Sequence, residues 1–174
     1  VASSLNEIVQ QFILGLQGGE RAAPSPSSPA VRSPLDDLTE LYRLIKHFEG
    51  CRLMPYLCPG KVWTCGWGST GADVYPGRVW TQTYADRRME QDAIKFAKGT
   101  LALCPALRAG ALNAIADFAY NLGLDNLQAS TLRRVINGGG AKEEIAHQLS
   151  RWVNAGGRRL RGLELRRAAE AALL

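Results

Sequence analysis

Glu49 closes a run of residues at helical spacing and is the side chain best placed for acid chemistry. A helix end carries partial negative charge, which disfavours a second negative charge beside it, and Phe48 and the short apolar runs that follow exclude water in the same sense. A carboxylic acid that keeps its proton near neutral pH can protonate a leaving oxygen, as cleavage of a glycosidic bond requires. The competing reading is a solvated surface carboxylate, which is what most helix-end glutamates are. The four cysteines offer a second chemistry. Cys51, Cys58 and Cys65 are seven residues apart and His47 is near, but there is no Cys-x-x-Cys pair, so no metal is expected. A disulfide between Cys51 and Cys58 is geometrically possible, and the competing reading of Cys58 is a small packing residue in a hairpin.

These groups need elements to hold them. Asp37 and Glu40 read as a capping box, Leu41, Leu44, Ile45 and Phe48 as one apolar stripe, and Gly50 as the stop. Residues 54–58 and 62–67 are short strand-like runs around Pro59-Gly60-Lys61, whose Pro-Gly pair suits a type II turn, so a small antiparallel hairpin is predicted. From Thr83 onward the pattern is helical. Thr83 with Asp86 forms a cap, Pro105 suits a first helical turn, and Ala111, Leu112, Ile115, Phe118, Ala119 and Leu122 recur at helical steps. Further helices fit 129–137, 141–154 and 162–173, with breaks at 137–140 and Gly156-Gly157. The expected class is α+β, predominantly helical with one small antiparallel hairpin.

Length and composition set the outer bounds. A chain of 174 residues with 46% apolar content supports one core, and a domain of about 150 residues buries roughly 70% of the surface its unfolded chain exposes. Neither disulfides nor metal are needed for folding. No stretch approaches the roughly 18 consecutive apolar residues of a membrane-spanning helix. The net charge of +5 favours an anionic partner, be it nucleic acid, anionic membrane or acidic wall polymer. Residues 1–36 read as a separate part: a short amphipathic stripe of Leu5, Ile8, Val9, Phe12 and Ile13, then a linker holding Pro24, Pro26, Pro29 and Pro34. That part is expected to be a satellite segment or to dock on a virion or membrane-associated partner, and residues 37–174 are expected to be the folded domain.

The order of motifs narrows the function. Glu49 is followed after eight residues by Cys58 and after five more by Thr64, with Gly66-Trp67-Gly68-Ser69-Thr70 immediately behind. Downstream come Phe118-Ala119-Tyr120-Asn121-Leu122-Gly123, Ser130-Thr131-Leu132, Arg151-Trp152-Val153 and the Gly162-Leu163-Glu164-Leu165-Arg166-Arg167-Ala168-Ala169-Glu170 run. This series resembles the phage-type lysozymes, glycoside hydrolase family 24, over the chain from Leu38 to its end. The resemblance implies a lysozyme-like fold and cleavage of the β-1,4 bond between N-acetylmuramic acid and N-acetylglucosamine in the peptidoglycan glycan strand. It implies action in the periplasm or cell wall, as an exported endolysin or a virion-associated enzyme, with no cofactor.

By that resemblance Glu49 is the general acid, while Cys58 and Thr64 hold and activate the attacking water with inverting geometry. Tyr120, Thr131 and Arg166 are the implied substrate-binding residues. Arg166 or Arg167 would fold back toward Glu49, or the basic end would attract the anionic wall. A thiol with its ordinary pKa replaces a carboxylate only imperfectly at pH 7, which leaves Asp73 as a fallback base. Some family members also use cysteines at the positions of Cys51 and Cys58 as a redox switch, inactive while the second is locked in a disulfide; a third cysteine takes part, for which Cys65 or Cys104 would have to serve. The alternatives are a catalytically weak wall-binding or virion structural module, and a nucleic-acid binder invited by the pI of 9.2 but lacking any reading motif.

Overall fold

A computed structural model describes residues 33–58 and 60–174, and Ser33–Leu174 form one compact unit. The expected amphipathic stripe, linker and docking partner of residues 1–36 fall almost wholly outside the described residues. Helix α1 (Thr39–Glu49) leads into an antiparallel pair, β1 (Arg52–Leu57) and β2 (Trp63–Gly66). Then follow α2 (Gln82–Leu103), α3 (Ala109–Leu122), α4 (Leu124–Ala129), α5 (Thr131–Asn137) and α6 (Lys142–Ser150). A two-residue pair, β3 (Asn154–Ala155) and β4 (Arg158–Arg159), precedes the last helix, α7 (Arg161–Ala171).

Helix α3 is the axis of the fold. Every residue from Leu112 to Ala119 is buried, so it is apolar almost all round, as a helix enclosed by others must be. Helices α1, α2, α4 and α7 pack around it. Leu41, Ile45, Met89, Leu112, Ile115 and Phe118 form the middle of the main core. A smaller cluster of Cys65, Val74, Trp80 and Ala85 lies under the hairpin. Gly66 belongs to that packing: at φ +61° a side chain is disfavoured, and a Cβ would stand 3.0 Å from the Trp80 ring.

Several boundaries differ from the sequence reading. Helix α1 starts at Thr39 rather than at a capping box on Asp37. Asp37 Oδ1 accepts from the Thr39 amide at 3.1 Å, and Glu40 turns outward to Arg43. The first-turn amide of Leu41, which has no partner within the helix, is satisfied across the core instead, by Asn113 Oδ1 at 2.9 Å. The cap of α2 is Thr81, whose hydroxyl accepts from the Tyr84 amide, not Thr83. Pro105 lies in the turn before α3, which begins only at Ala109. The helix expected over 141–154 stops at Ser150, because the chain must reverse through Gly156-Gly157 to present α7 to α1 and α3.

Candidate active site

Three helices each deliver one charged side chain to a single point. Helix α1 ends on Glu49, whose side chain is 24% exposed, and Oε1 accepts from Arg166 Nη1 at 2.6 Å. Arg166, on α7, is itself 3% exposed. It grips Asp117 of α3 with a two-pronged bond, Nε to Oδ2 at 2.8 Å and Nη2 to Oδ1 at 2.9 Å, which fixes the guanidinium in plane as well as in place. The Phe48 ring lies 5.6 Å from the Arg166 guanidinium. Burial works against the Arg166 charge, yet Asp117 and then Glu49 more than offset this, and its pKa rises.

Gly68 brings the loop after β2 against the same carboxylate. Its φ is +91°, a conformation that calls for glycine, and a Cβ there would be in van der Waals contact with Glu49 Oε2 at 3.4 Å. Tyr120 of α3 holds this loop by donating its hydroxyl to the Trp67 carbonyl at 2.8 Å, and Trp67 donates its indole N–H to Asp86 of α2 at 2.7 Å. Beside Glu49 opens a cavity of about 460 Å³ lined by Phe48, Leu160, Arg161 and Leu163. A second, of about 310 Å³, lies past Gly68 and is lined by Ser69, Arg88, Asp92, Lys95 and Tyr120.

The hairpin brings Cys58 and Thr64 together. Tyr56 pairs with Thr64, and the Cys58 amide donates to the Val62 carbonyl at 3.0 Å just beyond the last pair. The Cys58 thiol is held below its ordinary pKa chiefly by the Val62 N–H; burial opposes this, and the Gly60 N–H and Thr64 hydroxyl add to it. Thr64 is buried, and its one proton can turn to Cys58 or to the Val62 carbonyl 3.1 Å away.

The other expected residues are distributed as follows. Tyr120 faces the cavity past Gly68, and burial, with the charges of Asp92 and Glu49, raises its phenol. Thr131 opens α5 and lines a separate cavity of about 290 Å³ with Gln148, Arg151 and Trp152. Arg166 is turned inward onto Asp117 and Glu49, so its place is beneath the acid rather than on an open face of the groove. Asp73 is engaged elsewhere: burial pushes its carboxyl up, but bonds from Arg88 and Tyr84 outweigh that and hold it below its usual range.

All four cysteines are free. Cys51 and Cys58 flank the two ends of β1, whose pairs Arg52 with Gly66 and Leu57 with Trp63 are about 10 Å apart along β2. A disulfide needs Cα atoms within roughly 7 Å, so none joins these two while β1 is paired as seen. Cys104 is buried and pushed up to about 11, and burial likewise raises Cys65.

Sequence reasoning missed Asp117. Its signal was an acidic residue inside the apolar run from Leu112 to Ala119, where every helical face is buried. It also missed Glu170 as a charged core residue. Glu170 is fully buried beside Arg167, 2.7 Å from Nη2, but neither of its oxygens is aligned for a hydrogen bond.

A mostly helical unit whose small sheet flanks a half-buried glutamate is the architecture of a lysozyme, and similar proteins agree. Residues 46–170 match the phage lysozyme family, and the chain belongs to that family. It is 34% identical to an endolysin of Bacillus phage B103 over 133 residues, which is 75% of this chain and 50% of that protein. It is 36% identical to a SAR-endolysin of Bacteriophage PS119 over 126 residues, covering 70% of this chain and 73% of that one. The chain therefore spans about half the length of the Bacillus phage endolysins it matches. Among solved structures, the active form of P1 phage endolysin Lyz superposes with TM-score 0.69 at 27% identity, covering 78% of this chain and 82% of that one. The muramidase domain of SpmX from Asticaccaulis excentricus gives 0.70 at 26% identity, covering 78% and 94%.

Proposed function

We propose that residues 37–174 are a muramidase that hydrolyses the β-1,4 bond between N-acetylmuramic acid and N-acetylglucosamine in bacterial peptidoglycan. The observation that carries this reading is Glu49: a half-buried carboxyl at a helix end, backed by a buried arginine and bordered by a cavity, inside a Glu-x8-Cys-x5-Thr spacing. Glu49 donates its proton to the glycosidic oxygen as the bond breaks. Cys58, as thiolate, takes a proton from the water that attacks the anomeric carbon from the opposite face, and Thr64 orients that water, so the product is inverted. Tyr120 and Thr131 line the cavities that would receive the sugar chain. The basic last segment faces a polyanionic wall, which favours encounter.

The relatives named endolysins support action on the cell wall, for lysis or for wall penetration, and the reading as an inactive wall-binding module gains nothing from them. Within the same proposal, Cys51 and Cys58 form a redox switch that is off when they are bonded.

The test is clearing of permeabilised Gram-negative cells and of purified sacculi in reducing buffer. The parent clears both, and Glu49→Gln is slower by about 10²- to 10⁴-fold. A Glu49→Gln variant that digests sacculi at the parental rate would remove the assignment.

A further inference from the structure

Arg166 touches two carboxylates of unequal exposure. Asp117 is fully buried and takes two of its nitrogens, while Glu49 is part-exposed and takes one. A guanidinium that met Glu49 alone would favour the charged carboxylate strongly, because opposite charges within a few ångströms hold a carboxyl ionised. That would be the wrong state for a proton donor. Asp117 divides the arginine's field and fixes its plane, so Arg166 can orient Glu49 without claiming its proton.

We propose that Asp117 is a positioning residue for the hydrolytic step: by neutralising Arg166 from beneath, it sets the pH up to which Glu49 remains a usable acid. This rests on Glu49 being the proton donor, as proposed above. The other charged and titratable groups around the pair are Arg167 and Glu170 on α7, Tyr120 on α3, Lys46 and His47 in the last turn of α1, Arg161 at the adjoining cavity, and Asp92 of α2 behind Tyr120. Of these, Arg167 and Glu170 also interact with Asp117, so a charge-keeping Asp117→Glu is the control for their response.

The experiment compares pH–rate profiles on purified sacculi for the parent, Asp117→Asn, Asp117→Ser and Asp117→Glu, with folding checked by circular dichroism and Glu49→Gln as reference. In the two neutral variants the alkaline limb, where activity falls as the acid is lost, moves to lower pH by about one unit. Their KM stays near the parental value, whereas kcat at neutral pH falls about tenfold, the loss that a one-unit shift of the limb produces. Asp117→Glu, which keeps the charge, leaves the limb where the parent has it even if its kcat drops. A folded neutral variant with the parental limb overturns the proposal, as does a Glu variant shifted as far as the Asn variant. Should both neutral variants fail to fold, the Glu variant decides alone: a parental limb supports the proposal and a displaced one overturns it. Glu49→Gln separates the two ideas. If it retains parental activity, the proton-donor reading fails; if it is inactive while the Asp117 limbs coincide, only this inference fails.

Discussion

Cys58 occupies a position where a carboxylate would be ionised near neutral pH, and an ordinary thiol would not. The Val62 and Gly60 amides and the Thr64 hydroxyl stabilise its charged form, so part of the deficit is recovered by the turn that joins β1 to β2. The sign for catalysis follows. The fraction of thiolate grows with pH through the lowered thiol pKa, so the acid side of the parental activity profile should report Cys58. Cys58→Asp should carry that limb to lower pH and raise activity at pH 6 by about tenfold, since a carboxylate is ionised there and most of a thiol is not. Cys58→Ser should lose activity at every pH, having no group that ionises in range. Sacculus digestion between pH 4.5 and 9 checks both, and an unmoved acid limb in Cys58→Asp would show that Cys58 is not the base.

At the scale of elements, β1 is both a wall of the site and the obstacle to a Cys51–Cys58 bond. Its register with β2 keeps the two thiols apart, so oxidation between them must unpair part of the hairpin and withdraw Cys58 from Val62 and Thr64. An oxidised sample with that bond mapped by mass spectrometry should be inactive, should show fast amide exchange along β1, and should regain activity with reductant. Full activity with the bond in place would end the switch. The hairpin, the end of α1 at Glu49 and the helical remainder were legible because each depends on short-range spacing, as in the stripe from Leu41 to Phe48 and the run from Leu112 to Leu122; the expected type II turn is not seen, since the positive φ falls on Lys61 at +58° and not on Gly60. What was not legible depends on partners far along the chain. Asn113 satisfies the Leu41 amide across 72 residues, and the reach of Arg166 to Glu49 across 117 was expected from the family resemblance alone. No local pattern announces such pairs, and a capping box on Asp37 looked sufficient only because the real acceptor lies on another helix.

Across the whole molecule the unusual feature is a charged cluster in the centre of the helices, where Asp117, Arg166, Arg167 and Glu170 are all buried and Glu49 forms the edge. In the interior, where Asp117 and Glu170 face two guanidiniums, burial favours a proton on one carboxyl. Glu170 is that group: burial raises its pKa well above the usual range, against the pull of Arg167, and the close approach of Arg167 lacks hydrogen-bond alignment. An acid that binds its proton more tightly folded than unfolded contributes full stability below its unfolded pKa, and loses that contribution as pH rises through the folded value. Glu170→Gln, neutral at all pH, escapes this loss. Its Tm should match the parent near pH 4 and exceed it by a margin that widens from about pH 5 upward, where the unfolded glutamate ionises and the folded one resists. Were Glu170 instead an ionised partner of Arg167, the same substitution would strand a buried guanidinium and lower Tm most at neutral pH. Thermal melting of the two proteins from pH 4 to 9 distinguishes these opposite slopes and so decides which carboxyl in the core carries the proton.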